Sequence, residues 1–168
     1  MSVKFKTVKD KLPKMEQALK SVGGKKIQVG VLGGGEQAWL AGIHEYGCRI
    51  KITPKMRNWL KRNGLYLKKS TTEIVIPERS FLRAGFDQEH EKVLDKAEKV
   101  IDLVIHGKMS EDQFFTMIGE MLRDAIKDYA IDLKSPPKHP FTLAKNPGKT
   151  NPLVQSGDMV NAIDYKVE

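Results

Sequence analysis

The chain has 168 residues, 40% of them apolar and 30% charged, which is a composition typical of one soluble globular domain. No apolar run reaches the roughly 20 residues that a membrane span requires. The basic N-terminus lacks the apolar core of a secretory signal, so we expect synthesis in the cytoplasm and no membrane contact. The single cysteine, Cys48, excludes an intrachain disulfide and is predicted to be a buried, unreactive thiol.

The formal net charge of +8 is divided unevenly along the sequence. Residues 49–69 contain eight bases and no acid, whereas residues 87–132 contain twelve acids and six bases. A molecule with one basic and one acidic side is suited to binding polyanions. It is equally suited to rings in which the basic surface of one subunit meets the acidic surface of its neighbour.

The N-terminal half is predicted to combine one basic helix with short strands. The helix lies within residues 1–24, begins near Asp10 and ends at the Gly23-Gly24 pair. Residues 25–79 are the sheet-forming part, with strands expected at 26–32, 49–52 and 73–76. Short helices are expected at 36–46 and 55–61, and the first of these is predicted to place Trp39, Leu40 and Ile43 in the core.

The C-terminal half is predicted to be mainly helical. Residues 80–135 form two long antiparallel helices, and the second begins at a capping box made by Ser110 and Gln113. Residues 136–151 are rich in Pro, Lys, Asn and Gly, and we expect a long mobile or binding loop there. Residues 152–168 form a short helix and a closing strand. The prediction is therefore a single α+β domain, with a small, mostly antiparallel sheet of about four strands covered by two long helices.

Two patterns suggest enzymatic chemistry and are each rejected on their surroundings. The glycine turn at 33–38 fits a loose dinucleotide-binding pattern, but no acid for the ribose follows at the required distance. His44, Glu45 and Cys48 resemble part of a zinc helix, yet a third ligand is missing and Gly47 weakens a helix there. We predict that the chain is not an enzyme and has no catalytic, cofactor-binding or metal-binding residues.

The basic stretch from 49 to 69 is the strongest candidate for contact with a polyanion. Trp59 and Tyr66 lie among its bases, as they would in a surface that grips phosphates and stacks nucleic-acid bases. The alternative is that Trp59, Leu60, Leu65 and Leu67 are core or interface residues and that the cations cover the outer face. The possible polyanion contacts are Arg49, Lys51, Lys55, Arg57, Lys61, Arg62, Lys68 and Lys69.

Three segments together resemble the virion morphogenesis proteins of tailed bacteriophages and prophages, which include tail-completion, tail-terminator and head–tail joining proteins. The first is residues 30–47, with Ala38-Trp39 and Ile43-His44-Glu45-Tyr46-Gly47. The second, called the corner below, is residues 76–83, with the sequence Ile-Pro-Glu-Arg-Ser-Phe-Leu-Arg. The third is residues 152–167, which begin Pro-Leu-Val-Gln-Ser-Gly-Asp-Met. The order of these segments over residues 25–168 carries the resemblance.

The resemblance implies a tail-terminator-like fold and a structural role in the tail or neck of the virion, assembled in the host cytoplasm. It implies a ring, often of six copies, that contacts tail-tube or connector proteins. Incidental contact with DNA is a separate possibility that the sequence leaves open. The residues carried over as fold-defining or interface positions are Pro77, Arg79, Phe81 and Leu82 in the corner, and Leu153, Ser156, Gly157 and Met159 near the C-terminus. For each residue, burial in the monomer and contact with a partner remain alternatives.

Overall fold

The structure is a computed structural model that describes residues 22–168 together with Glu16, Gln17 and Lys20. The predicted N-terminal helix lies mostly outside the described residues. The described helices are α1 (Glu36–Tyr46), α2 (Pro54–Arg62), α3 (Phe81–Ile105), α4 (Glu111–Asp132), α5 (Pro140–Lys145) and α6 (Asp158–Asn161). The strands are β1 (Ile27–Val31), β2 (Cys48–Lys51), β3 (Glu73–Ile76) and β4 (Ile163–Val167). The predicted α+β class is confirmed.

The four strands form two antiparallel pairs, whereas the sequence suggested one small sheet. β1 pairs with β4, so that Ile27 lies opposite Val167 and Val31 lies opposite Ile163. β2 pairs separately with β3. The division arises because β1 pairs with the last strand of the chain, and Gly47, at φ 71°, separates α1 from β2. Residues 48–76, called the arm below, therefore fold back on themselves through α2 and return at β3.

The helices α3 and α4 form an antiparallel hairpin, as predicted. Their connection ends at Ser110, whose hydroxyl accepts from Gln113 N while the Gln113 side chain accepts from Ser110 N, so the predicted capping box is present. At the open end of the hairpin, Gly85 allows close approach to the Tyr129 side chain. Between these points a core cluster is buried, formed by Val93, Val104, Phe114, Phe115, Ile118 and Leu122.

A second core cluster lies where the hairpin meets the rest of the chain. It unites residues from α1, both long helices and the C-terminal segment: Ala41, Phe81, Ile126, Ala130, Leu153, Met159, Val160 and Ile163. Phe81 and Ile163 are fully buried at 0% exposure. Complete burial of a phenylalanine contributes roughly 1.5–3 kcal/mol, so this junction is a principal source of stability.

Several finer predictions were wrong. Trp39 is 66% exposed, because the apolar face of α1 that meets the core is centred on Ala41. The long loop contains the helix α5, whose N-cap is His139 and whose first residue is Pro140. Cys48 is only partly buried. In the part of the chain described here, no helix combines the length and apolarity needed to cross a membrane.

Candidate interaction surfaces and the corner that orients them

The corner is fastened to the end of α1 by Glu45, an acid that is only 3% exposed. Its carboxylate accepts from the backbone N–H groups of Leu82 at 2.8 Å and Arg83 at 3.1 Å, in the first turn of α3. The first N–H groups of a helix have no partner within the helix, and a carboxylate also opposes the positive end of the helix dipole. Glu45 therefore serves as the N-terminal cap of α3, supplied from 37 residues away along the chain.

Arg83 reinforces this cap from the solvent side. Its Nε donates to Glu45 Oε1 at 2.8 Å, and its Nη2 donates to Glu78 Oε1 at 2.7 Å. The guanidinium also lies over the Tyr46 ring, 4.9 Å from its centroid. Hydrogen bonds to these two acids raise the pKa of Arg83. The charged corner residues that prompted the resemblance are thus paired with the end of α1.

Arg79, which is 7% exposed, fastens the corner to the segment that follows α4. Its guanidinium donates to the carbonyls of Pro136 and Pro137 at 2.9 and 3.2 Å, and to His44 Nδ1 at 3.0 Å. The pKa of His44 is lowered to about 4, mainly because the ring is buried and further because Arg79 and Lys138 are positively charged. His44 is therefore neutral near pH 7, with Nδ1 acting as the acceptor.

Gly47 completes the junction because the chain passes too close for a side chain. An added Cβ would lie 2.9 Å from the backbone nitrogen of Glu78 and 3.0 Å from the carbonyl oxygen of Ile76. The backbone also has φ 71°, which disfavours residues with a Cβ. The root of the arm is consequently held on both sides, by Gly47 before β2 and by the corner after β3.

The C-terminal segment is tied to the end of α4 by a single amide. Asn151 Nδ2 donates to the carbonyls of Ala130, Ile131 and Leu133, and its Oδ1 accepts from the N–H groups of Leu153 and Val154. These bonds satisfy carbonyls that the last turn of a helix leaves free. Asn151 was not singled out in the sequence, although an Asn preceding Pro and following a helix is a recognised turn signal.

The eight carried-over positions fall into two groups. Phe81, Leu153 and Met159 are buried in one core cluster, beside the partly buried Leu82, and Arg79 forms the bonds given above. Pro77 is partly buried, Ser156 is exposed and donates to Asp158 Oδ2 at 2.7 Å, and Gly157 has φ 99° at the start of α6. The structure thus brings the corner and the C-terminal motif together, with most of their apolar bulk inside the monomer.

The eight candidate polyanion contacts do not form one uniform surface. Arg57 donates to the carbonyls of Leu67, Lys68 and Thr71, so it stabilises the loop of the arm. Arg49 is exposed and pairs with Glu73 at 3.6 Å. The other six are also exposed: Lys51, Lys55, Lys61, Arg62, Lys68 and Lys69. Among the aromatic and apolar residues of the arm, Leu60 is buried, whereas Trp59 is 57% and Tyr66 74% exposed.

The two enzymatic patterns take up other roles in the fold. His44 and Glu45 are occupied by Arg79 and the start of α3, and the described residues contain no group of three or more His, Cys, Asp or Glu placed to hold a metal ion. The glycine turn at 33–35 follows β1, but β1 pairs antiparallel with β4, whereas dinucleotide-binding folds need parallel strands joined through a helix.

Comparisons with protein-family models, with curated proteins and with solved structures give no match.

Proposed function

We propose that this chain is a structural virion assembly protein of a tailed phage or prophage, which completes or caps the tail, or joins tail to head, as a ring of copies. The observation that supports this most strongly is the convergence of the three resembling segments. Glu45 of the first caps the helix that begins in the corner, and Phe81 of the corner packs with Leu153 and Met159 of the third. Motifs that are far apart in sequence thus form one structural unit.

The exposed surface also suits assembly with other subunits. Each two-stranded sheet has unpaired edges among the described residues, and open edges are sites where another chain can add a strand. Large apolar side chains remain exposed on and beside the arm: Trp39, Tyr46, Trp59, Tyr66 and Val75. A ring requires two different and complementary faces on each subunit. The uneven distribution of charge along the chain, basic at 49–69 and mainly acidic at 87–132, would supply such a pair of faces.

The proposal is tested by electron microscopy of particles produced without this gene product. We expect tails that are unjoined or of irregular length, and a loss of infectious particles that the wild-type gene restores. Normal, joined and infectious particles would contradict the assembly role.

A second candidate is sequence-independent binding of nucleic acid, favoured by one observation on α2. Lys55, Trp59 and Arg62 lie at spacings of four and three, so they share an exposed face of that helix. If this face binds phosphates, DNA affinity should fall steeply between roughly 50 and 200 mM salt. Negligible binding across that range would remove this candidate.

A further inference from the structure

The outer face of α3 carries an acidic stripe with one exposed apolar residue at its centre. Spacings of three and four, with Asp95 directly after Leu94, place its members on one side of the helix: Asp87, Glu91, Leu94, Asp95, Glu98 and Asp102. All six are exposed, and Leu94 is exposed at 56%. Within the described residues, none of the five carboxylates forms an ion pair or a side-chain hydrogen bond. Among the residues that the structure describes, this charged face has no partner.

The exposed face of α2 is the opposite in charge and similar in layout. Trp59, 57% exposed, lies between Lys55 and Arg62, and neither base has a hydrogen bond or ion pair in the described part of the chain. The arm has no acid between residues 49 and 69 that could neutralise these bases. Tryptophan and arginine are both enriched among the residues that contribute most to binding at protein interfaces.

The two faces match in spacing when the helices run antiparallel. Going up α2, the steps from Lys55 to Trp59 to Arg62 are four and three residues; going down α3, the steps from Glu98 to Leu94 to Glu91 are also four and three. At 1.5 Å per residue, both triplets span roughly 10 Å. This register places a base opposite an acid at each end and the tryptophan opposite the leucine.

We infer that α2 of one copy docks antiparallel on α3 of a second copy, with Lys55 facing Glu98, Trp59 covering Leu94, and Arg62 facing Glu91. The occupant is a second copy because charge, apolar centre and spacing are all complementary within this one sequence. The contact is heterologous, since different surfaces of the two copies meet, and such contacts generate a ring when the rotation between neighbouring copies closes. The inference rests on the proposed function, because this contact is the one through which the proposed ring would form.

Zero-length carbodiimide coupling of the wild-type chain tests the contact, since it joins an amine to a carboxylate only when the two touch. An equal mixture of isotopically light and heavy protein separates links between copies from links within one copy. We expect mixed-label peptides that join Lys55 to Glu98. If Lys55 forms no link to the α3 stripe of another copy, the inference is wrong.

Charge reversal tests the register. Lys55→Glu and Glu98→Lys should each weaken self-association roughly tenfold or more, measured by sedimentation velocity at low salt. Combining both should restore it to within roughly threefold of wild type, whereas combining Lys55→Glu with Glu91→Lys should not. The matched controls are Lys61→Glu, on another side of α2, and Glu120→Lys, on α4. Equal effects of the test and control reversals would refute the assigned register.

Three outcomes separate this contact from the function it rests on. Defective particles without the gene product, combined with no Lys55–Glu98 link, leave the assembly role standing and overturn the contact. A Lys55–Glu98 cross-link and restored self-association in the double charge reversal would support the contact. If particles made without the gene product are nevertheless normal, the assembly role is overturned. If Lys55→Glu abolishes DNA binding and leaves self-association unchanged, the α2 face belongs to nucleic acid and the inference is overturned.

Discussion

Replacing Glu45 by alanine should destabilise the protein far more than the loss of a surface acid would. The substitution leaves two N–H groups in the first turn of α3, those of Leu82 and Arg83, without the acceptor that caps them. A lost helix cap costs about 0.5–2 kcal/mol, and a buried donor left without a partner costs about 1–3 kcal/mol. We expect the free energy of unfolding to fall by about 3 kcal/mol. For a chain of this length that corresponds to a decrease in Tm of roughly 6–12 °C.

The assay is urea and thermal unfolding followed by circular dichroism at neutral pH. Glu78→Ala is the matched control, because Glu78 also accepts from Arg83 but is largely exposed and caps no helix. Glu45→Gln should lie between wild type and Glu45→Ala, since the amide keeps one acceptor oxygen and loses the charge. If Glu45→Ala and Glu78→Ala have the same stability, the carboxylate does not function as the cap of α3.

Three further changes test the close packing of two glycines and the charge state of His44. Gly47→Ala should lower the free energy of unfolding by about 2–4 kcal/mol, since it combines a clash with Glu78 and a strained positive φ. Gly119→Ala should lower it by about 1–3 kcal/mol, because the new Cβ would lie 2.7 Å from Tyr165 Cγ; both are measured by urea unfolding. Stability should also fall as pH decreases from 6.5 towards about 4, because the unfolded chain then binds a proton that folded His44 resists, and pH-dependent urea unfolding measures this slope.

Matched variants separate these causes from general effects of substitution. Gly33→Ala has positive φ but open space around it, so it should cost less than Gly47→Ala. Gly42→Ala, in α1 with open space, should be neutral or stabilising by up to about 1 kcal/mol, unlike Gly119→Ala. His44→Gln keeps an acceptor for Arg79 but does not titrate, so it should reduce the acid slope; an unchanged slope would contradict the role of His44.

Local signals in the sequence were sufficient for most helices and strands. Ser110 and Gln113 define the start of α4 because both partners of the capping box lie within four residues of each other. The N-terminal position of Pro140 after His139 was an equally local signal for α5, but the surrounding Pro and Lys residues suggested a loop. Elements that depend on residues close together in sequence can therefore be predicted from local signals. The start of α4 was predicted in this way, and the signal for α5 was present but was interpreted as a loop.

Contacts between distant segments were beyond such reasoning. The sequence gives Glu45 the appearance of a base next to a possible zinc ligand, and only the fold brings the start of α3 to its carboxylate. The division into two sheets depends on the partner of β1, which is the last strand of the chain. Trp39 lies at a helical spacing from Ile43, but α1 meets the core through Ala41, so periodicity alone placed the tryptophan on the wrong side.

The double fastening at the root of the arm has a mechanical consequence. With Gly47 pressed against the backbone of residues 76–78 and Arg79 anchored to Pro136 and Pro137, a tilt of the arm has to deform backbone that is already in contact. A load applied near Trp59 should thus be passed into α3 through its capped end, and not absorbed by hinge bending. If subunits were linked through rigid arms of this kind, every pair of neighbours would meet at the same angle. In a closed assembly, that angle determines the number of copies.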